Sequence, residues 1–257
     1  MPKYRKKIWA GDVYEVEEYF SPRAIGKKYE RGRRENLTTE EQQKRNLALA
    51  RKGLTRIINA NFTGKDYFVL LTHDGVATVE EAKKERRNFF ERLKRFRKKN
   101  GFSELKYIAV VEEQGRVHHH MILNHFDGLS MKDALEVLQN IWGKGLVKIK
   151  HLYQNQKDTR LASYITKENI QKGAKRWSSS RNLEQPKVKL EVIEETKRKT
   201  SLRPPKGYTM ILHTEDWFEE IGWVRYMKAI REGGMDYGEY GGGMTYQQSN
   251  SDGAFGA

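Results

Sequence analysis

Three consecutive imidazoles, His118-His119-His120, are followed further along by Tyr164-Ile165-Thr166-Lys167. On a β-strand successive side chains point to opposite faces, so His118 and His120 share one face and can grip one cation while His119 points away. A carboxylate would complete a mixed nitrogen and oxygen donor set suited to Mn, Mg, Co or Zn. Glu112 and Glu113 stand just upstream, across a turn containing Gly115. Register decides which of them faces the pair. A three-residue loop sets Glu112 opposite His118, whereas a two-residue turn at Gln114-Gly115 brings Glu113 round instead.

Tyr164 and Lys167 lie on one face of a helix, so a phenol and a cation can meet at the same phosphate. A phenol of pKa about 10 is mostly protonated at neutral pH and needs a nearby cation, metal or base before it attacks phosphorus. Lys167 can supply positive charge beside the developing oxyanion, and a metal can polarise the scissile phosphate. Metal and activated phenol together point to phosphodiester chemistry through a covalent phosphotyrosine, which a free hydroxyl can reverse. Each motif alone has a plainer reading. A run of histidines can be hydrogen-bonded core, and Tyr-x-x-Lys usually marks a helix with one foot in the core, here Leu161, Ala162 and Ile165. Their combination raises both. His73, His125 and His151 lack such spacing and read as structural or surface residues.

Composition agrees with a polyanionic partner. Lys and Arg number 49 against 34 Asp and Glu, a net charge of +15 recurring along the whole chain, with a pI near 9.7, in the range of nucleic-acid binders. Cys is absent, which excludes disulfides, thiolate zinc sites and thiol catalysis. No window approaches the roughly 18 apolar residues of a membrane span, and the basic start lacks the apolar core of a signal peptide. A cytoplasmic protein without membrane contact is expected.

The elements that must position these residues follow from periodicity. Residues 1–37 are basic and aromatic, an arm or extra strand with alternation around Val13 to Phe20. Thr38 to Glu41 has the reciprocal capping pattern of a helix start, giving a helix to about Ile58. Tyr67 to Thr72 reads as a buried strand. Thr78 and Glu81 cap a long helix with Ala82, Phe89, Phe90, Leu93 and Phe96 inward. Leu105 to Glu112 and Val117 to Leu123 make a hairpin. Ser130 caps a helix with Ala134, Leu135, Leu138, Ile141 and Trp142 inward, and Leu146 to Lys150 alternates as a fourth strand.

The order strand, helix, strand, strand, helix, strand predicts an α+β fold of the ferredoxin-like, split βαβ type. Two helices cover one face of a central antiparallel sheet and the other face is left open. The histidine pair then sits near the sheet centre, and a third helix over about 158–172 can bring Tyr164 across the open face. The stretch Lys175 to Asn182, with Arg176, Trp177 and Arg181, suits phosphate contact and base stacking, or is an ordinary loop. Residues 187–192 and 207–213 read as strands and Trp217 to Ile230 as a short helix. From Gly233 the chain is Gly-, Ser- and Gln-rich and is expected to be disordered. The expected divisions are an arm (1–37), a catalytic domain (38–185), an extension (186–232) and a tail (233–257).

These residues resemble the HUH endonucleases, specifically rolling-circle replication initiators of plasmids and phages. Leu70-Leu71-Thr72 resembles that family's first motif, Gly115 to Leu123 its metal-binding second, and Tyr164-Ile165-Thr166-Lys167 its nucleophile third. Val110-Val111-Glu112 resembles the strand end that contributes the acidic ligand, which selects Glu112 over Glu113. The likeness spans about residues 40–185, and the single Tyr with the basic Trp177 to Leu183 segment is most similar to filamentous-phage and prophage replication proteins. The family normally has a hydrophobic residue where His119 stands.

The resemblance implies nicking of single-stranded DNA or an origin hairpin by Tyr164 with Lys167, a 5′-phosphotyrosine link and later strand closure. It also implies a divalent ion, Mg or Mn, on His118, His120 and Glu112, and DNA contacts from Arg116, Arg176, Trp177 and Arg181. There is no Gly-x-x-x-x-Gly-Lys-Ser/Thr phosphate loop, so a host helicase and polymerase are the expected partners. A transposase or relaxase with the same chemistry, and a non-catalytic basic DNA-binding module, are the alternatives.

Overall fold

The computed structural model describes residues 2–21, 40–75, 77–113, 116–152, 177–193, 201–218 and 222–233. The expected third helix over about 158–172 and the tail from residue 234 lie outside them.

Local sequence sets the two helices behind the central sheet. Thr78 begins α2 (Val79–Lys99): its hydroxyl accepts from the Glu81 N–H while the Glu81 carboxylate accepts from the Thr78 N–H. Two of the free donors of the first turn are thereby satisfied. Ser130 caps α3 (Met131–Trp142) by accepting from the Asp133 N–H. The inward stripes of both helices, Phe89, Phe90 and Leu93 on α2 and Ala134, Leu138 and Trp142 on α3, are buried. They pack on one face of β3 (Tyr67–Thr72) and β5 (His118–Leu123), through Tyr67, Val69, Leu71, Met121 and Leu123. Each of the Phe, Leu, Val and Met side chains among them contributes about 1.5 to 3 kcal/mol by leaving water.

The central sheet has the order β6-β3-β5-β4-β7, with β4 at Tyr107–Glu112, β6 at Val147–His151 and β7 at Ser178–Ser179. All its pairings are antiparallel, and the first four strands have the expected split βαβ arrangement. Arg97 pins the far end of β5, donating to the carbonyls of Asn124 and His125 as well as Ser103.

The second face of this sheet is not open along its whole length, as the sequence reading has it. Helix α1 (Glu40–Asn61) covers one half: Leu54 and Ile58, with Phe62 beyond its end, pack against Ile108, Val110 and Ile122. This helix precedes the βαββαβ unit, and nothing in its own pattern names the surface it covers.

Residues at the two ends of the chain form a second antiparallel sheet, ordered β8-β1-β2-β10-β9. Its strands are β1 (Lys3–Ala10), β2 (Val13–Phe20), β8 (Lys187–Ile193), β9 (Tyr208–Phe218) and β10 (Gly222–Arg231). The expected arm is therefore a central hairpin, flanked on both sides by strands from the other end of the sequence. Over the described part of Trp217 to Ile230, where a helix is expected, the chain is instead the end of β9 and nearly all of β10. Trp223, Val224, Tyr226 and Ile230 favour strands, and β2 supplies an edge that β10 pairs from Val13–Ile230 to Glu18–Arg225.

Helix α1 joins the two sheets because opposite faces of it do different work. Leu54 and Ile58 point to the central sheet, while Lys52 and Arg56 point to Glu15 and Glu17 of β2. Arg56 donates to Glu15 at 2.6 Å and also to Glu17. Burial alone would raise the Glu17 carboxyl, but Lys52 and Arg56 outweigh it and hold it below the usual carboxylate range. At the β1–β2 turn, a Cβ on Gly11 (φ +58) would lie 2.1 Å from the Asn59 carbonyl oxygen, so only glycine lets the hairpin dock on α1. Replacing Arg56 with Ala strands Glu15 in a buried site and should cost about 3 kcal/mol. Urea denaturation should show this as a clear fall in midpoint, with the exposed control Lys84→Ala unchanged.

Candidate metal centre

The β4–β5 pairing sets Glu112 directly opposite His118 and Val110 opposite His120. Directly opposed residues share a face, so Glu112, His118 and His120 converge. His118 Nε2 lies 3.0 Å and His120 Nε2 2.7 Å from the same carboxylate oxygen, Glu112 Oε2. These three ligand atoms all lie within 4.8 Å of one another, and they are the group among the described residues that could hold a metal ion.

The donor set fits a divalent cation. The His118 Nδ1–H donates to the Arg116 carbonyl at 2.7 Å, so a neutral His118 presents its Nε2 lone pair to the carboxylate oxygen. Two acceptors at 3.0 Å repel unless a positive charge sits between them. Ligand atoms about 2.1 Å from a common ion and at right angles stand about 3.0 Å apart, matching the observed separations. The Arg116 carbonyl is then the outer partner that fixes the ring's tautomer and orientation. Burial pushes His120 below the usual imidazole range, with His118 adding to the effect and Glu112 opposing it. The unprotonated, ligating form is favoured. Phe68 lies parallel to the His120 ring at 5.7 Å between centroids and backs it from the neighbouring strand.

His119 faces the helices and is fully buried. Its Nε2 is 3.0 Å from His73 Nε2, and His73 Nδ1 is 2.9 Å from Glu85. Glu85 accepts the Nδ1 proton of His73, which leaves the His73 Nε2 lone pair to accept from His119 Nε2–H. Trp142 packs edge-on against both rings and donates its indole N–H to the Thr72 carbonyl. This chain of contacts accommodates a polar residue between the two ligands. Burial, with Arg86 and the neighbouring imidazoles adding to it, drives His119 down to about 2.

The other expected site residues are dispersed. Arg116 is exposed at the hairpin beside the triad, and Arg181 is exposed near the outer edge of β4. Trp177 is partly buried against the α1 cluster. Tyr164, Lys167 and Arg176 lie outside the described residues. His73, expected to be structural or surface, is a buried structural residue just past β3; its link to His119 joins residues distant in the chain and leaves no short-range spacing. His125 is a structural residue, held by Asp66 at 2.7 Å.

Residues 66–172 match a family model described as replication-associated protein ORF2/G2P. The matched region runs from the start of β3 through the triad and past Tyr164. No curated protein and no solved structure matches the chain. No helix among the described residues is long and apolar enough to cross a membrane.

Calorimetric titration with Mn²⁺ should show one site in the intact protein, lost in His120→Ala and weakened at least tenfold in Glu112→Gln. A second expectation concerns His119, which binds a proton in the unfolded chain below about pH 6.5 but not in the folded one until about pH 2. The unfolded state therefore holds more protons across that window, and stability falls on acidification by up to about 1.4 kcal/mol per pH unit. Urea unfolding of His119→Leu at several pH values should give a shallower fall than the parent protein.

Proposed function

We propose that this chain is a replication initiator that nicks and rejoins single-stranded DNA through Tyr164. The observation that carries the reading is the convergence of Glu112, His118 and His120 on one carboxylate oxygen, within the region similar to replication-associated proteins. The connectivity supports it. The chain leaves the described residues at Leu152 and returns at Trp177, and both ends pack in the α1 cluster on the triad's side of the sheet. In the sequence Tyr164 stands about a dozen residues from each anchor, a length of chain that can span up to roughly 40 Å when extended.

Glu112, His118 and His120 would hold a divalent ion, Mg or Mn, which when bound supplies Lewis acidity to a non-bridging phosphate oxygen. The Tyr164 oxygen attacks phosphorus, giving up its proton to solvent or a base, while Lys167 stabilises the developing negative charge. The bond from phosphorus to the 3′ oxygen breaks, and that oxygen takes a proton to leave as a free 3′-hydroxyl. The 5′-phosphotyrosine keeps a phosphodiester linkage, so attack by a 3′-hydroxyl on it regenerates Tyr164 and a closed strand.

Incubating the protein with single-stranded DNA carrying candidate origin hairpins and Mn²⁺ should give a covalent adduct that survives denaturation. The adduct should vanish with EDTA, in Tyr164→Phe and in His120→Ala. An adduct retained in Tyr164→Phe would exclude this nucleophile, and DNA binding with no adduct under any of these conditions would favour the non-catalytic module.

A further inference from the structure

Strand β6 is an edge of the central sheet, and its burial alternates: Val147 is buried, while Lys148 and Lys150 are exposed. Leu70 of β3 pairs with His120 on one side and Lys148 on the other, and Phe68 pairs with Ile122 and Lys150. Opposed residues share a face, so both lysines lie on the triad's face of the sheet. Lys148 is on the same rung as His120, two strand spacings or about 9.6 Å away at the backbone. Lys150 sits on the next rung with its ammonium 5.1 Å over the Phe68 ring. Phe68 in turn stacks on His120. The sequence of contacts Lys150, Phe68, His120 ties the cation to the metal centre.

Many lysines of this protein are neutralised by nearby carboxylates: Lys52 by Glu17, Lys83 by Glu80, Lys94 by Glu91 and Lys144 by Glu85. Lys148 and Lys150 have no carboxylate within ion-pair distance among the described residues. Glu112 is the carboxylate contributed to this face by β3, β4, β5 and β6, and its Oε2 is engaged by both imidazoles. Two unneutralised cations on adjacent rungs, beside a site for one phosphate, suit a chain of further phosphates leading away from it.

We infer that Lys148 and Lys150 form a phosphate rail that carries the single-stranded DNA backbone from the triad to the β6 edge of the sheet. The inference rests on the proposed function for its ligand. It adds the side of the metal centre along which the strand runs, and the residues that hold it there.

The test uses the full chain and fluorescein-labelled oligothymidylate, with binding read by anisotropy over a range of salt in the presence of Mn²⁺. The double variant Lys148→Gln, Lys150→Gln should bind roughly tenfold more weakly at low salt. Its slope of log affinity against log salt should be shallower by about 1.4, from about 0.7 per lost phosphate contact. The Lys148→Arg, Lys150→Arg protein should restore both quantities. A Lys98→Gln, Lys99→Gln control, exposed at the end of α2 behind the sheet, should match the parent protein. Unchanged Mn²⁺ titration and melting temperature would show that the glutamine variant is folded. If the parent binds the oligonucleotide and the glutamine variant binds it with equal affinity and slope, the rail is overturned while the nicking reading stands. If the parent does not bind it at all, the rail falls, and the adduct assay alone decides the nicking reading.

Discussion

The pleat of β5 is the constraint on which the site depends. Three adjacent imidazoles are sent to two different environments: His118 and His120 to a half-open polar face, His119 into the helix-packed core. The β4–β5 register then decides which carboxylate joins the outer pair. A slip of one residue would turn Glu112 toward His119 and the aromatic core, where a charged group without partners costs several kcal/mol. Burial on both sides thus makes register and ligand identity a single choice.

His119 needs its own explanation, since a polar ring at the centre of an apolar layer is costly unless hydrogen-bonded. The structure answers with His73 and Glu85, which carry polarity from β5 across the end of β3 to α2. The same residues mechanically tie the back of the ligand strand to a long helix. Two sides of one strand are therefore specified by polar contacts, one converging on Glu112 in a cluster that could hold a cation and the other leading through His73 to Glu85.

The central unit was readable because its signals are local. Capping pairs at Thr78 and Ser130, three-to-four spacing along α2 and α3, and alternation in β3 to β6 each act within a few residues. Together they define the order of elements and the same-face relation of His118 and His120. Glu112 was legible with the help of family likeness, which selected between two registers that the sequence alone left open. The relations that escaped were those between residues distant in the chain. The covering of half the sheet by α1, the pairing of β2 with β10 and the link between His73 and His119 leave no periodic trace. The stretch from Trp217 to Ile230 misled because aromatic and aliphatic residues at mixed spacing fit a short helix as well as a strand, until a neighbouring edge supplies partners. Lys148 and Lys150 were visible as alternation in a strand, but their relation to the triad appears only when β3 is seen lying between them and His120.

The second sheet has a consequence for how the protein is made. Lys3 pairs with Ile193 and Val13 with Ile230, so the hairpin at the start of the chain finds its flanking strands only near the far end. The entropy of closing such loops grows slowly with length, but non-local pairing slows folding. On the ribosome, β1 and β2 emerge before the central unit and must wait through its synthesis for their partners. Until β8 and β10 arrive, two bare edges flanking Ile8, Val13 and Val16 stand exposed to other chains. The hairpin is thus completed only after the central unit that follows it, and in that interval its edges can pair with other chains.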